Sequence, residues 1–192
     1  MPLTQLDPSK TALVLIDLQR GITSFPAEPH TTTEVIANAT RLADAFRAVA
    51  APVILVHVST SLDGSDRLHL PVDEPQALRQ LSADFAEIVA ELGPHEGDIV
   101  VAKRQWGAFY GTDLDLQLRR RGITTVVLGG IATNYGVEST ARDGYERGYQ
   151  LLLVEDAMSA RSAADHAFAF VRIFPRLGRV CQTADVIAAL GA

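Results

Sequence analysis

Short apolar runs recur along the whole chain, and most are followed by a segment with helical periodicity. The first run, residues 11–17, has no polar residue between Ala12 and Ile16 and ends in an acid, Asp17. A continuous run, rather than an alternating one, indicates a strand covered on both faces, as in a parallel sheet between two helix layers. The same criterion predicts strands at residues 11–17, 53–58, 98–102, 124–128 and 150–154, with a weaker sixth at 179–182. The alternation predicts a three-layer α/β/α sandwich with right-handed crossovers.

The segments between the strands carry helix signals. Thr31 and Glu34 form a capping-box pattern, and apolar residues follow at helical spacing as far as Val49. Further helices are predicted at residues 76–85, 112–121, 135–147, 162–174 and 183–190. Residues 20–30 contain a glycine and two prolines and are predicted to form a loop. Residues 59–97 are broken by prolines and glycines into short pieces.

Size and charge narrow the class of protein. The length of 192 residues fits a single domain, residues 1–192, with a sizeable core. The net charge is −6 and the longest basic run is three arginines at positions 119–121, which argues against nucleic acid or an anionic membrane as a partner. A single cysteine excludes an internal disulfide and fits a reducing cytosol. We find no signal peptide and no apolar run long enough to span a bilayer, so a cytoplasmic location is expected.

Residues 126–142 are the stretch on which a functional interpretation depends. They begin as an apolar run, pass through Gly129 and Gly130, and become an amphipathic helix near Asn134, which predicts a strand turning sharply into a helix. Such a turn leaves the first N–H groups of the helix pointing at whatever lies above the sheet. Several hydrolases place a nucleophile at such a turn, but the position in this chain is Gly136.

Three candidate residues converge at the carboxyl edge of the predicted sheet, where α/β folds bind ligands. Asp17 ends the first strand, Lys103 ends the third, and Gly136 lies just past the fourth. An acid and an amine beside a helix N-terminus are suited to proton transfer next to developing negative charge. Each also has a structural interpretation: Asp17 as the cap of a turn, Lys103 as a solvated end residue, and Gly136 as close helix-start packing.

Trp106, Phe109 and Tyr110 form an aromatic segment. They are candidates for a pocket wall, or alternatively for core or oligomer-interface positions. Cys181 lies in the last, weak strand and is interpreted as a small core residue rather than a nucleophile.

Three residues could suggest a metal site: His57, Asp63 and His69. Their spacing matches no tight ligand pattern and is interpreted as that of scattered loop residues. No metal and no cofactor are expected.

Four segments together resemble the isochorismatase-like hydrolase superfamily, which has a cysteine hydrolase fold and includes isochorismatases, nicotinamidases and N-carbamoyl amidohydrolases. They are residues 12–19, 97–103, 107–114 and 127–143, and their order and spacing agree with the family. The resemblance implies a six-stranded parallel sheet of Rossmann-like topology. It also implies a hydrolase with a small-molecule substrate, assembled as a homo-oligomer, either a dimer or a tetramer.

The resemblance also assigns roles. Asp17 becomes the general acid or base and Lys103 its charged partner. It implies a cis peptide bond between Ile131 and Ala132, with the N–H groups of Ala132 and Gly136 forming an oxyanion hole. The candidate substrate-binding residues in and beside the matching segments are Gln19, Trp106, Phe109, Tyr110 and Ile131.

One departure from the family pattern bears on mechanism. Amidase members carry a catalytic cysteine where this chain has Gly136, and glycine cannot attack a substrate. Ser139 and Thr140 lie a turn further along and are interpreted as helix packing, and Tyr135 is expected to point elsewhere. The metal-binding pattern of nicotinamidases, an aspartate followed closely by two histidines, is also absent.

Isochorismatases resemble this chain in having glycine at that position. Their reaction, hydrolysis of a vinyl ether, needs an acid but no covalent intermediate, and Asp17 could supply the proton. Gly136 is then expected to leave an open niche for the substrate. The sequence therefore favours a cysteine-independent hydrolase of a small anionic metabolite. Two alternatives stay open: a catalytically silent member that retains a binding pocket, and an amidase with a non-cysteine nucleophile.

Overall fold

The computed structural model describes residues 3–61, 63–68, 70–74 and 81–191. A single sheet of six parallel strands lies at its centre, in the order β3-β2-β1-β4-β5-β6. The strands are β1 (Thr11–Ile16), β2 (Val53–Val58), β3 (Ile99–Lys103), β4 (Thr125–Ile131), β5 (Gln150–Ser159) and β6 (Arg179–Cys181). The predicted parallel α/β sheet is confirmed, and its order is the Rossmann order.

Seven α-helices are present in the described part of the chain. They are α1 (Arg20–Thr23), α2 (Thr32–Ala48), α3 (Leu114–Arg120), α4 (Glu138–Glu146), α5 (Ala163–Phe168), α6 (Phe174–Leu177) and α7 (Thr183–Leu190). Two wider turns of π type precede α4 and α6, at Thr133–Val137 and Ala169–Ile173. None of the helices in these residues is long and apolar enough to cross a membrane.

The predicted capping box starts α2. The Glu34 N–H donates to the Thr31 hydroxyl at 3.2 Å, and the Thr31 N–H donates to the Glu34 carboxylate at 2.8 Å. These bonds satisfy N–H groups that a helix start otherwise leaves without partners.

The side chains of β1 alternate between two buried layers. Leu13 and Leu15 belong to one cluster, which takes in the apolar faces of α2 and α7. Ala12, Val14 and Ile16 belong to the other, which takes in residues of α3, α4 and α6. Because all five side chains are 0–1% exposed, β1 is covered on both faces. The three-layer arrangement predicted from the unbroken apolar run is therefore confirmed.

The predicted end of β4 is wrong by three residues. The strand does not turn at Gly129 and Gly130 but continues to Ile131, and the turn begins at Ala132. Gly130 has φ +122°, and a Cβ there would lie 2.1 Å from the Ile16 carbonyl oxygen. The glycine therefore serves a close approach of β4 to β1 rather than a sharp turn.

Other boundaries differ for related reasons. β5 does not end near Glu155 but runs to Ser159, because its far end pairs with the extended end of β4. The helical segment predicted to end at residue 174 continues as α6 to Leu177, with Pro175 in the first turn of α6. Residues 20–23 of the predicted loop form α1. In the predicted helix at 76–85, residues 81–85 are not helical, and residues 76–80 lie outside the described residues.

The strand order indicates where a ligand-binding crevice lies. The chain builds β1, β2 and β3 towards one edge and then returns to place β4 on the other side of β1. Parallel α/β sheets bind ligands outside the strand ends at such a reversal. In this chain the carboxyl ends of β1 and β4 border that crevice, and the residues that follow them are Asp17 and Ala132.

We expect replacement of Gly130 by alanine to destabilise the protein far more than the same change at Gly148. Both glycines have positive φ, but a Cβ at Gly148 meets nothing within 4 Å, whereas one at Gly130 overlaps main-chain atoms of Ile16. Gly148→Ala is expected to cost about 1–2 kcal/mol for the backbone conformation alone. Gly130→Ala should cost roughly 2 kcal/mol more, because strand β4 must move away from β1. Urea unfolding measures both, and equal losses would contradict the close-approach explanation.

Candidate active site

A buried ion pair lies at the carboxyl edge. The Lys103 ammonium donates to Oδ2 of Asp17 at 2.7 Å, with the two side chains 2% and 9% exposed. Lys103 ends β3, which is separated from β1 by β2, and neighbouring strands are about 4.8 Å apart. Only a long side chain can cross that gap, so lysine suits this position. The structure brings together two residues that lie 86 positions apart in the sequence.

Burial and charge act in opposite directions on this carboxyl. Removal from water raises the pKa of Asp17 to about 6, although the Lys103 ammonium favours the charged form. Its second oxygen, Oδ1, is buried and has no hydrogen-bond partner among the described residues. One oxygen is therefore anchored, while the other can exchange a proton near neutral pH.

Gly136 lies directly against this pair. A Cβ at this position would lie 3.1 Å from Oδ2 of Asp17, 2.9 Å from Cγ2 of Ile16 and 3.3 Å from the Trp106 carbonyl oxygen. The expectation of an open niche beside Gly136 is therefore wrong, because atoms of these three residues already fill the space. The alternative of close packing at a helix start describes Gly136 in this structure.

The turn after β4 contains the two main-chain N–H groups predicted to form an oxyanion hole. The Ile131–Ala132 peptide bond is cis, and the Ala132 carbonyl accepts from the N–H groups of Tyr135 and Val137 at 3.1 and 3.3 Å. Of the two predicted N–H donors, Ala132 immediately precedes the turn Thr133–Val137, and Gly136 lies within it.

Asn134 lies in the same turn and was missed as a site residue. Its side-chain Oδ1 is buried without a partner in the described part of the chain. In the sequence it served only to mark the start of a helix, and no local pattern indicates that its amide is buried.

Gln19 does not have the free amide expected of a substrate-binding residue. Its Nε2 donates to the carbonyls of Val58 and Phe85, both at 2.9 Å, and its Oε1 accepts from the Val58 N–H at 2.7 Å. All three bonds go to main chain, so the fully buried side chain ties the segment after β1 to the end of β2 and to residue 85.

The aromatic candidates separate into two environments. Phe109 is buried and stacks on Tyr149 with ring centroids 5.8 Å apart, so the core alternative describes it. Trp106 is 53% exposed and packs edge to face on Tyr135 at 4.9 Å, and Tyr110 is 76% exposed. Ile131, the remaining candidate, is 5% exposed in the cluster beneath α2.

Two possible nucleophiles are engaged elsewhere. The thiol of Cys181 is buried and 3.8 Å from the Leu153 carbonyl, and burial raises its pKa to about 12. The Thr140 hydroxyl donates to the Gly136 carbonyl at 2.6 Å and accepts from the Ala108 N–H at 3.0 Å. A thiol this hard to ionise and a hydroxyl with both bonding roles filled are poor nucleophiles.

Two of the three residues considered as metal ligands from the sequence, His57 and Asp63, belong to no three-ligand cluster within the described ranges. His57 is half-buried near the end of β2, and burial lowers its pKa. The Asp63 carboxylate accepts from Ser65, and His69 lies outside the described residues. Within the described ranges, the only set of three ligand-type side chains close enough for one ion is His30, Glu155 and His166. No local sequence pattern indicates this set, because its members are separated by up to 136 positions.

Comparison with known proteins shows the family to which the chain belongs. A family model for the isochorismatase domain matches residues 11–185. The isochorismatase family protein YecD of Escherichia coli O157:H7 is 50% identical over 186 residues, which cover 97% of this chain and 99% of that protein. The ureidoacrylate amidohydrolase RutB of Methylobacterium radiotolerans is 35% identical over 211 residues, with coverage of 97% and 81%.

A solved structure gives the same result for the fold. The structure of an isochorismatase family protein from Burkholderia thailandensis superposes with a TM-score of 0.94 at 49% identity. The match covers 99% of this chain and 100% of that chain.

We expect Lys103→Met to destabilise the protein by about 3–5 kcal/mol at pH 8, because it leaves a buried carboxylate without its partner. A carboxyl whose pKa is raised by folding binds a proton more tightly in the folded state, so stability falls as pH rises through that range. Loss of the ammonium raises the pKa of Asp17 further, and the cost should therefore be smaller at pH 5 than at pH 8. Urea unfolding at the two pH values measures this difference.

Two further variants serve as controls for that measurement. Arg20→Met removes an exposed ion pair with Asp84 and should cost less than about 1 kcal/mol. Adding Asp17→Asn to Lys103→Met should recover part of the loss, since the unpaired charge disappears. A Lys103→Met loss as small as that of the exposed pair would disprove an energetically important buried pair.

Proposed function

The chain belongs to the isochorismatase family of hydrolases, and from this premise we propose that it hydrolyses a small anionic metabolite without a covalent enzyme intermediate. Asp17 is the general acid and base in this proposal. One observation carries it: a buried carboxyl with a free oxygen and a raised pKa lies against Gly136, which offers no nucleophile.

The position of Gly136 supports a route without an acyl-enzyme. We propose that it corresponds to the nucleophilic cysteine of amidase members. The position is adjacent to Asp17, since a Cβ there would lie 3.1 Å from Oδ2, but in this chain Ile16 and Asp17 pack against the glycine and leave no room for a side chain. The buried Cys181 thiol is a poor replacement because burial raises its pKa to about 12, and we therefore propose acid/base chemistry without a covalent intermediate.

Enol ethers of the isochorismate type suit such a site. Protonated Asp17 gives its proton to the terminal vinyl carbon, and the C=C electron pair forms the new C–H bond. The resulting oxocarbenium ion is attacked by water, which returns a proton to the Asp17 carboxylate. The hemiketal hydroxyl then loses its proton as the C–O bond to the leaving oxygen breaks, and that oxygen takes up a proton, so that a ketone and an alcohol are released. The substrate keeps the proton that Asp17 donated, a proton of the water replaces it on Asp17, and the net reaction is the addition of one water molecule.

The neighbouring groups have supporting roles. The Lys103 ammonium stabilises the Asp17 carboxylate after it has lost its proton. We assign the N–H groups of Ala132 and Gly136 to the anionic part of the substrate, where a helix start favours negative charge. The unpartnered Asn134 oxygen can accept from water or a substrate hydroxyl. Exposed Trp106 and Tyr110 remain the proposed substrate contacts, since Gln19, Phe109 and Ile131 are buried.

Replacing Asp17 by asparagine should lower the turnover of isochorismate by about 10²–10⁴-fold, the usual contribution of a general acid. Product formation is measured with purified wild type and variant. Asp44→Asn is the matched control, since it removes an aspartate with a side chain 62% exposed in α2 and should leave the rate unchanged. Wild-type turnover that Asp17→Asn retains in full would rule out the proton-donor role.

The pH profile tests the direction of proton transfer. Because free-enzyme Asp17 has a pKa of about 6 and must be protonated to donate, kcat/KM should fall about tenfold per pH unit above that value. Initial rates at subsaturating isochorismate between pH 5 and pH 8 measure this slope. A rate that instead rises with pH would mean that Asp17 acts first as a base.

A second candidate, an amidase with another nucleophile, is favoured by the similarity to the ureidoacrylate amidohydrolase RutB. Intact-mass measurement during incubation with ureidoacrylate separates the two candidates. An acyl adduct on the protein, accompanied by hydrolysis of the amide, would favour the amidase.

A further inference from the structure

Two histidine side chains from distant parts of the chain contact the same carboxylate oxygen of Glu155. Nε2 of His30 lies 2.9 Å from Oε1 of Glu155, and Nε2 of His166 lies 3.0 Å from the same oxygen. All three ligand-type atoms lie within 4.8 Å of one another. His30 precedes α2, Glu155 lies within β5, and His166 belongs to α5. None of these three residues has a role in the proposed reaction.

We propose that His30, Glu155 and His166 bind one divalent transition-metal ion of the zinc type. Two imidazole nitrogens and one carboxylate oxygen are a donor set that Zn²⁺ uses, with water as the fourth ligand. In a tetrahedral site with bonds of about 2.0–2.2 Å, neighbouring ligand atoms lie about 3.3 Å apart. The two nitrogen–oxygen contacts of 2.9 and 3.0 Å need to open by a few tenths of an ångström, and the two nitrogens, which lie within 4.8 Å of each other, need to reach the same separation.

Outer hydrogen bonds already orient two of the three ligands. Nδ1 of His166 is 2.9 Å from the buried Thr133 hydroxyl, and Oε2 of Glu155 accepts from Gln182 at 3.2 Å. When Nδ1–H of His166 donates to Thr133, its Nε2 lone pair faces the centre of the cluster. Such partners on the far side of each ligand are typical of metal sites.

The third ligand is held through its backbone. The Ser159 hydroxyl donates to the His30 carbonyl at 2.7 Å, and Glu28 and Ala160 exchange two main-chain hydrogen bonds at 2.8 and 3.0 Å. His166 is 4% exposed, whereas His30 and Glu155 are 28% and 25% exposed. The cluster is therefore preorganised, with one side accessible to an ion and its water.

The position of the cluster indicates a stabilising role rather than a catalytic one. An ion there would connect the segment before α2, strand β5 and helix α5. It would also fix Thr133, the residue that follows Ala132. This role is independent of the proposed hydrolysis, so it is tested without an activity measurement.

The experiment uses the full chain without an affinity tag, stripped of metal by a chelator and dialysed. Titration with Zn²⁺ in a calorimeter should give one ion per chain with a micromolar or lower Kd. Co²⁺ should give the visible absorption bands of a four-coordinate site. The thermal midpoint should rise on addition of Zn²⁺ because the ion binds only the folded chain.

Variants assign the binding to these residues. His30→Ala and Glu155→Gln should each weaken Zn²⁺ binding at least tenfold and abolish the Co²⁺ bands. Thr133→Val, which keeps all three ligands, should weaken binding about 10–100-fold. His95→Ala removes an exposed histidine outside the cluster and should change nothing. Circular dichroism confirms that each variant is folded, and His30→Ala provides the test if Glu155→Gln is not.

Two outcomes would overturn the proposal. In the first, the wild type binds no Zn²⁺ in the micromolar range, and the cluster is a hydrogen-bonded network in which both histidines donate to Glu155. In the second, His30→Ala binds Zn²⁺ as tightly as His95→Ala, which would place any bound ion elsewhere.

Discussion

The buried contact between the Asp17 carboxylate and the Lys103 ammonium is the constraint on which the carboxyl edge depends. Taking both charges out of water is costly, and the pair is tolerable only while each partner stays in place. The partners come from strands separated by β2, so the contact requires the strand order, the parallel register and a side chain as long as lysine. Fold and candidate chemistry are thus linked through one short distance.

Two glycines allow strand β4 and the turn that follows it to pack closely around this ion pair. Gly130 lets β4 approach the last residue of β1, and Gly136 lets the following turn lie against Asp17. Their missing side chains do not create a cavity, since Ile16 and the Trp106 carbonyl take up the space. A side chain at either position would displace main chain or the acid itself. Close packing therefore holds the proposed acid/base in position.

Strand β4 separates two polar systems at the same end of the sheet. On the β1 side lie Asp17 and Lys103, and on the β5 side lies Glu155 with its histidines. The turn that begins after Ala132 touches both, through Gly136 on one side and Thr133 on the other. The arrangement therefore keeps the carboxyl of Asp17, which we propose takes part in the reaction, apart from the carboxyl of Glu155, which we propose has a structural role.

The sequence by itself determined the parallel sheet, the long helix α2 and the meeting of Asp17, Lys103 and Gly136 at one edge. Apolar periodicity, capping and strand-end position are local signals that survive without tertiary context. What only the tertiary structure decided were properties that depend on distant partners. The ends of β4 and β5 are set by their pairing with each other. The side chain of Gln19 bonds to the main chain of Val58, and Phe109 stacks on Tyr149, so the environment of each depends on a residue about 40 positions away. The cluster at Glu155 joins three separate segments, and no periodicity along a chain encodes which distant segments packing will bring together.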